Sequence, residues 1–201
     1  MIKAITFDLD GVYFTSESFK SFKSKLPKKV TDPIAIDQVF HHSLENKQFR
    51  RGECSEDDFW AYVKLELGIT LTNEEIFQFL ADCYQVDPQV VEIVKKIRSL
   101  GYKTCICTNN YPTRIRVLNQ KFNFLKNFDI HIFSYQVGVI KPDPKIFQAL
   151  ITATGYHPSE IAYSDDRVDN VTAAQKLGIN SFTYQDFAGF INRLKTLGVA
   201  I

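Results

Sequence analysis

The sequence predicts an α/β fold: a Rossmann-like parallel sheet flanked by helices, with a small all-helical module inserted after the first strand. Three observations carry this. Short β-branched and aromatic runs recur along the chain, helical apolar stripes separate them, and one connection is far too long for a simple crossover.

The strand-like runs are Ile2 to Phe7, Lys103 to Cys107, Asp129 to Phe133, Glu160 to Ser164 and Ser181 to Tyr184. From Pro88 to Leu100 the apolar positions Val90, Val91, Val94, Ile97 and Leu100 form a helical stripe, and Gly101 supplies the stop. Ile115 to Phe122, Pro144 to Ala153 and Val168 to Leu177 behave alike. Strand and helix alternate, so the sheet is expected to be parallel.

Between the first strand and Pro88 lie about 70 residues, where a crossover needs about a dozen. Ile36 to Leu44 reads as one helix, Ser55 with Asp58 opens a second through Leu67, and Thr72 with Glu75 opens a third through Tyr84. Residues 1-14 and 87-201 are thus expected to form the core, and 15-86 the helical insertion. Phe19, Phe22, Phe40, Phe59, Trp60 and Phe77 supply apolar bulk for the insertion. The five lysines of Lys20 to Lys29 read as a solvated loop, or as an attraction for an anionic ligand.

Composition narrows the function classes. The 201 residues suffice for one domain with a modest insertion, and 45% apolar against 23% charged residues is globular, with no apolar run long enough to cross a bilayer. With 24 Lys plus Arg against 23 Asp plus Glu, no global charge draws nucleic acid or membrane. The start lacks a basic segment and a small-residue cleavage site, so a cytoplasmic location is expected. Cys105 and Cys107 share one strand face, and Cys54 and Cys83 lack metal-ligand spacing, so free thiols are expected.

Polar clusters follow four strands: Asp8 with Asp10, Thr108 with Asn109 and Asn110, Lys141, and Asp165 with Asp166. In a parallel sheet these loops emerge along the carboxyl rim, where open α/β sheets bind ligands. Asp, Asn and Thr also cap helices after strands: Asp165 or Asp166 for the helix at Val168, Asn110 for the one at Pro112, and Asp143 for the one at Pro144. Capping does not explain Asp8 and Asp10 together. Two crowded carboxylates repel, so a cation is expected to offset them. Asp8, Asp166 and a backbone carbonyl near Asp10 make an all-oxygen set suited to Mg²⁺. Asp8 would then be a nucleophile, Thr108 and the following amides would hold phosphate oxygens, and Lys141 would balance negative charge. Asp10 would move protons, and Gly11 lets the chain turn there.

With these residues in place, the chain resembles the haloacid dehalogenase superfamily of phosphohydrolases over nearly all its length. "FDLDGV" is similar to the family's first motif, "ICTNN" to the second, "VGVIKPDPKIF" to the third and "YSDDRVDNVTAAQKLGI" to the fourth. The resemblance implies a nucleophile at Asp8, a general acid/base at Asp10, phosphate contacts at Thr108, Asn109 and Lys141, and Mg²⁺ held by Asp8, Asp10 and Asp166, with Asp165 as a further contact. The insertion resembles the family's helical cap, and "RRGECSEDDFW" is similar to one of its segments, which implies a small enclosed substrate. Asp165 stands where many relatives have glycine, and Asn170 where many have a second acid. Members that displace halide lack the second acid of the first motif, so Asp10 argues against that activity.

The implied function is a Mg²⁺-dependent phosphatase for a small phosphorylated metabolite, acting through an aspartyl-phosphate. A phosphomutase of the same fold and a phospho-accepting or phosphate-sensing module are the alternatives; the long insertion and D-x-D-G spacing disfavour the module. His41 and His42 would face different sides of a helix, a poor metal pair. Arg50 and Arg51 would either reach a second anionic group of the substrate or remain surface charges.

Overall fold

The computed structural model describes residues 1–201. Five strands, β1 (Ala4–Phe7), β2 (Lys103–Thr108), β3 (Ile130–Phe133), β4 (Ile161–Asp165) and β5 (Asn180–Thr183), form one sheet in the order β3-β2-β1-β4-β5. All neighbours are parallel. Every residue of β1 is buried, as befits a central strand covered on both faces. The chain leaves β1 for β2 on one side and later returns to β4 on the other, which makes the carboxyl end of β1 the switch point.

Alternate residues of the strands feed two apolar layers. Ile5, Phe7 and Ile106 share one with Val90 and Val94 of α6 (Pro88–Ser99). Ala4, Cys105, Cys107 and Tyr163 share the other with Ile146 and Phe147 of α9 (Pro144–Thr154). The expected free cysteines are unpaired, with Cys105 and Cys107 buried.

The insertion is more helical than its sequence suggested. The lysine-rich stretch forms α1 (Glu17–Lys25) instead of a loop, because Phe19, Phe22 and Leu26 make an apolar stripe beneath the lysines. The single helix expected over Ile36 to Leu44 breaks into α2 (Pro33–Asp37) and a π-helical turn, Gln38–His42. Ser43 ends that turn and caps α3 (Leu44–Arg50), accepting the Asn46 amide at 3.1 Å. The next two helices follow the expected caps: Ser55 starts α4 (Glu56–Leu67), and a Thr72–Glu75 capping box starts α5 (Asn73–Cys83).

Aromatic packing and hydrogen bonds tie the insertion to the sheet's carboxyl rim. Phe49 stacks on Phe59 at 4.4 Å and on Tyr111 at 5.0 Å, just before α7 (Pro112–Phe122). Trp60 donates its indole N–H to Thr113 at 3.3 Å, and Glu56 accepts from Thr113 and Arg116. Gly52, at φ +73°, lies against the Tyr135 carbonyl, where a Cβ has no room. No helix is long and apolar enough to cross a membrane. The remaining α-helices are α8 (Ser134–Val137), α10 (Val168–Gln175) and α11 (Phe187–Thr196).

Candidate active site

Asp8 follows β1 directly and stays in register with its neighbour, its amide donating to the Ser164 carbonyl at 3.1 Å. Lys141 approaches from the loop before α9 and is buried. Its ammonium donates to the Cys107 carbonyl at 2.9 Å, the Tyr163 hydroxyl at 3.1 Å and Asp165 Oδ2 at 2.6 Å, which uses its three protons. Asp8 Oδ1 lies 3.1 Å from the same nitrogen. Burial opposes the charge on Lys141, but Asp8 and Asp165 outweigh it and hold its pKa above the usual lysine value.

Asp165 is committed. Besides Lys141 and Tyr163, it accepts from both the Arg167 amide, at 2.9 Å, and Asn170 Nδ2, at 2.9 and 3.1 Å. Burial works against its ionisation, yet Lys141 and these hydrogen bonds hold the carboxyl below its ordinary range. Asp8 behaves oppositely: burial pushes it up to about 7, with Asp165, Asp10 and Asp166 adding to the rise and Lys141 restraining it. Asp166 is raised to about 6 by desolvation and by the Asp165 charge.

Gly11 explains how Asp166 comes so near. At φ +78°, its missing Cβ would fall 2.8 Å from Asp166 Oδ2. Asp10, just before it, points elsewhere: Oδ2 pairs with Arg114 Nη2 at 2.5 Å, and Oδ1 accepts the Tyr84 hydroxyl at 3.2 Å. The Asp10 side chain therefore stands apart from the carboxylates of Asp8, Asp165 and Asp166, whose oxygens lie within 4.8 Å of one another.

Two of that trio, Asp8 and Asp166, fit a hard cation. Both are raised by burial and by the neighbouring Asp165 charge, and Asn170, which lines the same cavity, has a buried Oδ1 with no hydrogen-bond partner. Asp165, saturated by Lys141 and Asn170, serves to hold those two side chains.

A cavity of about 570 Å³ lies over this cluster, walled by Thr108 and Lys141 from the rim and by Phe19, His41 and Arg50 from the insertion. Thr108 is buried at its base. Asn109 lines the cavity, with its side chain engaged inside the protein. Its amide brackets the Lys141 backbone, donating to the carbonyl at 2.9 Å and accepting the N–H at 2.6 Å. Asn110 is likewise diverted from capping, its Oδ1 accepting from Arg114 Nε at 2.7 Å, whereas Asp143 does cap α9. His41 and His42 do not diverge as a regular helix would make them, since the π-helical turn brings both toward Asp37. Arg114, Tyr84 and Tyr163 escape a reading by motif, because each looks like one more polar or aromatic residue until its distant partner is known.

A family model of haloacid dehalogenase-like hydrolases matches residues 2–178. The chain belongs to this family of hydrolases. It is 26% identical over 204 residues to D-ribitol-5-phosphate phosphatase of Bacteroides thetaiotaomicron, covering 98% of each chain. It is also 26% identical over 217 residues to bifunctional epoxide hydrolase 2 of Mus musculus; the match takes 96% of this chain but only 38% of that protein's length. A HAD family enzyme from Bacteroides thetaiotaomicron, solved with magnesium and inorganic phosphate, superposes with a TM-score of 0.77 at 21% identity, covering 94% of this chain and 99% of that one.

Proposed function

We propose that this chain is a Mg²⁺-dependent phosphatase that cleaves a small phosphorylated metabolite through an aspartyl-phosphate at Asp8. The observation that carries the reading is Asp8 itself, an acid 3.1 Å from the Lys141 ammonium at the floor of a cavity roofed by the insertion. The phosphatase named among its relatives supports the same reaction class.

Asp8, Asp166 and the backbone carbonyl of Asp10 would hold Mg²⁺, which when bound keeps Asp8 ionised and draws charge from the phosphoryl oxygens. Thr108 contacts those oxygens from the other side, and the Lys141 charge beside Asp8 balances the negative charge that gathers there. An Asp8 oxygen forms a bond to phosphorus as the ester P–O bond breaks, and Asp10 passes a proton to the departing oxygen. Asp10 then takes a proton from water, whose oxygen attacks the phosphorus and frees Asp8. Asn109 and Asp165 position Lys141, and Arg114 and Tyr84 position Asp10.

In this reading residues 15–86 act as a cap over a core of residues 1–14 and 87–201, and the substrate is small because the cavity is enclosed by both. Four unpaired cysteines suit a reducing compartment such as the cytoplasm.

The test is phosphate release from a panel of sugar, polyol and organic-acid phosphates with Mg²⁺, using Asp8→Asn protein as the blank. Turnover should vanish with EDTA and return with Mg²⁺. Turnover in the Asp8→Asn protein, or indifference to chelation, contradicts the reading.

A further inference from the structure

One cation on the cavity wall has no carboxylate of its own. Lys141 is paired with Asp8 and Asp165, Arg114 with Asp10 and Arg167 with Asp169. Arg50, at the end of α3, makes one hydrogen bond, from Nη2 to the Asn109 carbonyl at 3.1 Å, and its Nε is buried without a partner. Burial and the charge of Arg114 both work against the Arg50 guanidinium, and the charges of Asp10 and Asp8, neither of which pairs with it, offset only part of that cost.

His41 stands on the same wall. The Lys23 ammonium, which has only protons to give, lies 2.8 Å from its Nε2, so the ring proton is on Nδ1. Burial, Lys23 and Arg50 lower the pKa of His41 to about 4, which leaves a neutral ring with one N–H donor beside the arginine. Phe19 packs against both His41 and Arg114, with centroid distances of 5.6 and 4.9 Å, and fixes the wall's shape.

An unpaired guanidinium, a neutral N–H donor and an aromatic brace line the same cavity as the nucleophile. The phosphoryl end already has Thr108, Lys141 and the cation-binding acids. We propose that this wall receives a second anionic group of the substrate, a carboxylate or a further phosphate, with Arg50 as the residue that selects it. The inference rests on the phosphatase reading and narrows it: preferred substrates are small phosphomonoesters that carry another anion.

Matched pairs test this: phosphoglycolate against ethyl phosphate for a carboxylate, and propanediol bisphosphate against propyl phosphate for a second phosphate. The wild-type kcat/KM should favour the anion-bearing member of at least one pair by about 10- to 100-fold, the size of one charge-assisted contact. Arg50→Met should bring that ratio close to one, and Arg50→Lys should keep part of it. A wild-type ratio near one in both pairs overturns the proposal. So does a ratio unchanged in Arg50→Met, because a merely structural role lowers both members together.

Turnover of p-nitrophenyl phosphate separates the two levels. If it is hydrolysed while both ratios are near one, only this inference fails; if no phosphomonoester is hydrolysed with Mg²⁺, the phosphatase reading fails. Calorimetric titration of Mg²⁺-loaded Asp8→Asn protein decides the second case. Tighter binding of phosphoglycolate than of ethyl phosphate, lost on adding Arg50→Met, supports the anion wall, and equal binding overturns it.

Discussion

The guanidinium of Arg114 holds the carboxylate of Asp10, Nη2 to Oδ2, at 2.5 Å, and so ties the loop after β1 to α7. Tyr84 closes the arrangement, donating to Asp10 Oδ1 at 3.2 Å while accepting from Arg114 Nη1 at 3.0 Å. In the proposed mechanism these contacts hold Asp10 in one orientation for taking a proton from water. Arg114→Met should therefore lower kcat by about 10- to 100-fold, the loss of a charge-assisted hydrogen bond, with phosphoenzyme accumulating because the water step slows. Rapid-quench kinetics measure this; an unchanged kcat contradicts the positioning role.

Lys141→Met removes one charge from two buried acids. Breaking a buried pair from one side costs about 3–5 kcal/mol of stability, and in the proposed mechanism losing a preorganised charge beside the attacking acid costs about 100- to 1,000-fold in kcat. Denaturant melts and steady-state rates check the two separately. Mg²⁺ should recover part of the stability, since a cation also compensates Asp8.

Much of this was legible in the sequence. The strands and the polar clusters behind them are local patterns, so Asp8, Thr108, Lys141 and Asp166 could be placed on one rim from periodicity and chain order. Arg114 could not, because its meaning lies in Asp10, 104 residues away. The family resemblance makes Asn109 a phosphate contact, and its own segment says nothing of Lys141, whose backbone its side-chain amide brackets. In α1 the lysines masked an apolar stripe of Phe19 and Phe22, a weak signal until the partner Phe40 is known to cover both.

Metal binding should depend on pH with a definite sign. Without a cation, Asp8 titrates near 7 and Asp166 near 6, so between the ordinary carboxylate value and these pH values the folded chain holds protons that the unfolded chain has shed. These two acids therefore favour the metal-free fold at low pH, and that contribution is lost as pH rises through about 6 to 7. A cation must displace the same protons, so the rise in Tm on adding Mg²⁺ should grow from pH 5 to pH 8, roughly one unit or more beyond both groups. Tm measured with and without Mg²⁺ at each pH tests this, and a flat or falling difference contradicts it.

Gly11→Ala places a Cβ 2.8 Å from Asp166 Oδ2 on a backbone at φ +78°. Asp166 must move away, so Mg²⁺ affinity should fall by about 10-fold or more while the sheet remains intact, and stability should drop by about 1 kcal/mol from the strained turn. Isothermal titration with Mg²⁺ and circular dichroism separate the two effects. Unaltered affinity would remove Asp166 from the cation site.

The most direct measurement is chemical trapping of the acyl phosphate. Protein quenched in acid during turnover of a reactive phosphomonoester and digested should show one phosphoryl group on the peptide containing Asp8, and none in the Asp8→Asn protein. A phosphoryl group on any other residue, or steady turnover without a trappable adduct at Asp8 even when the Arg114→Met change slows the water step, contradicts the account.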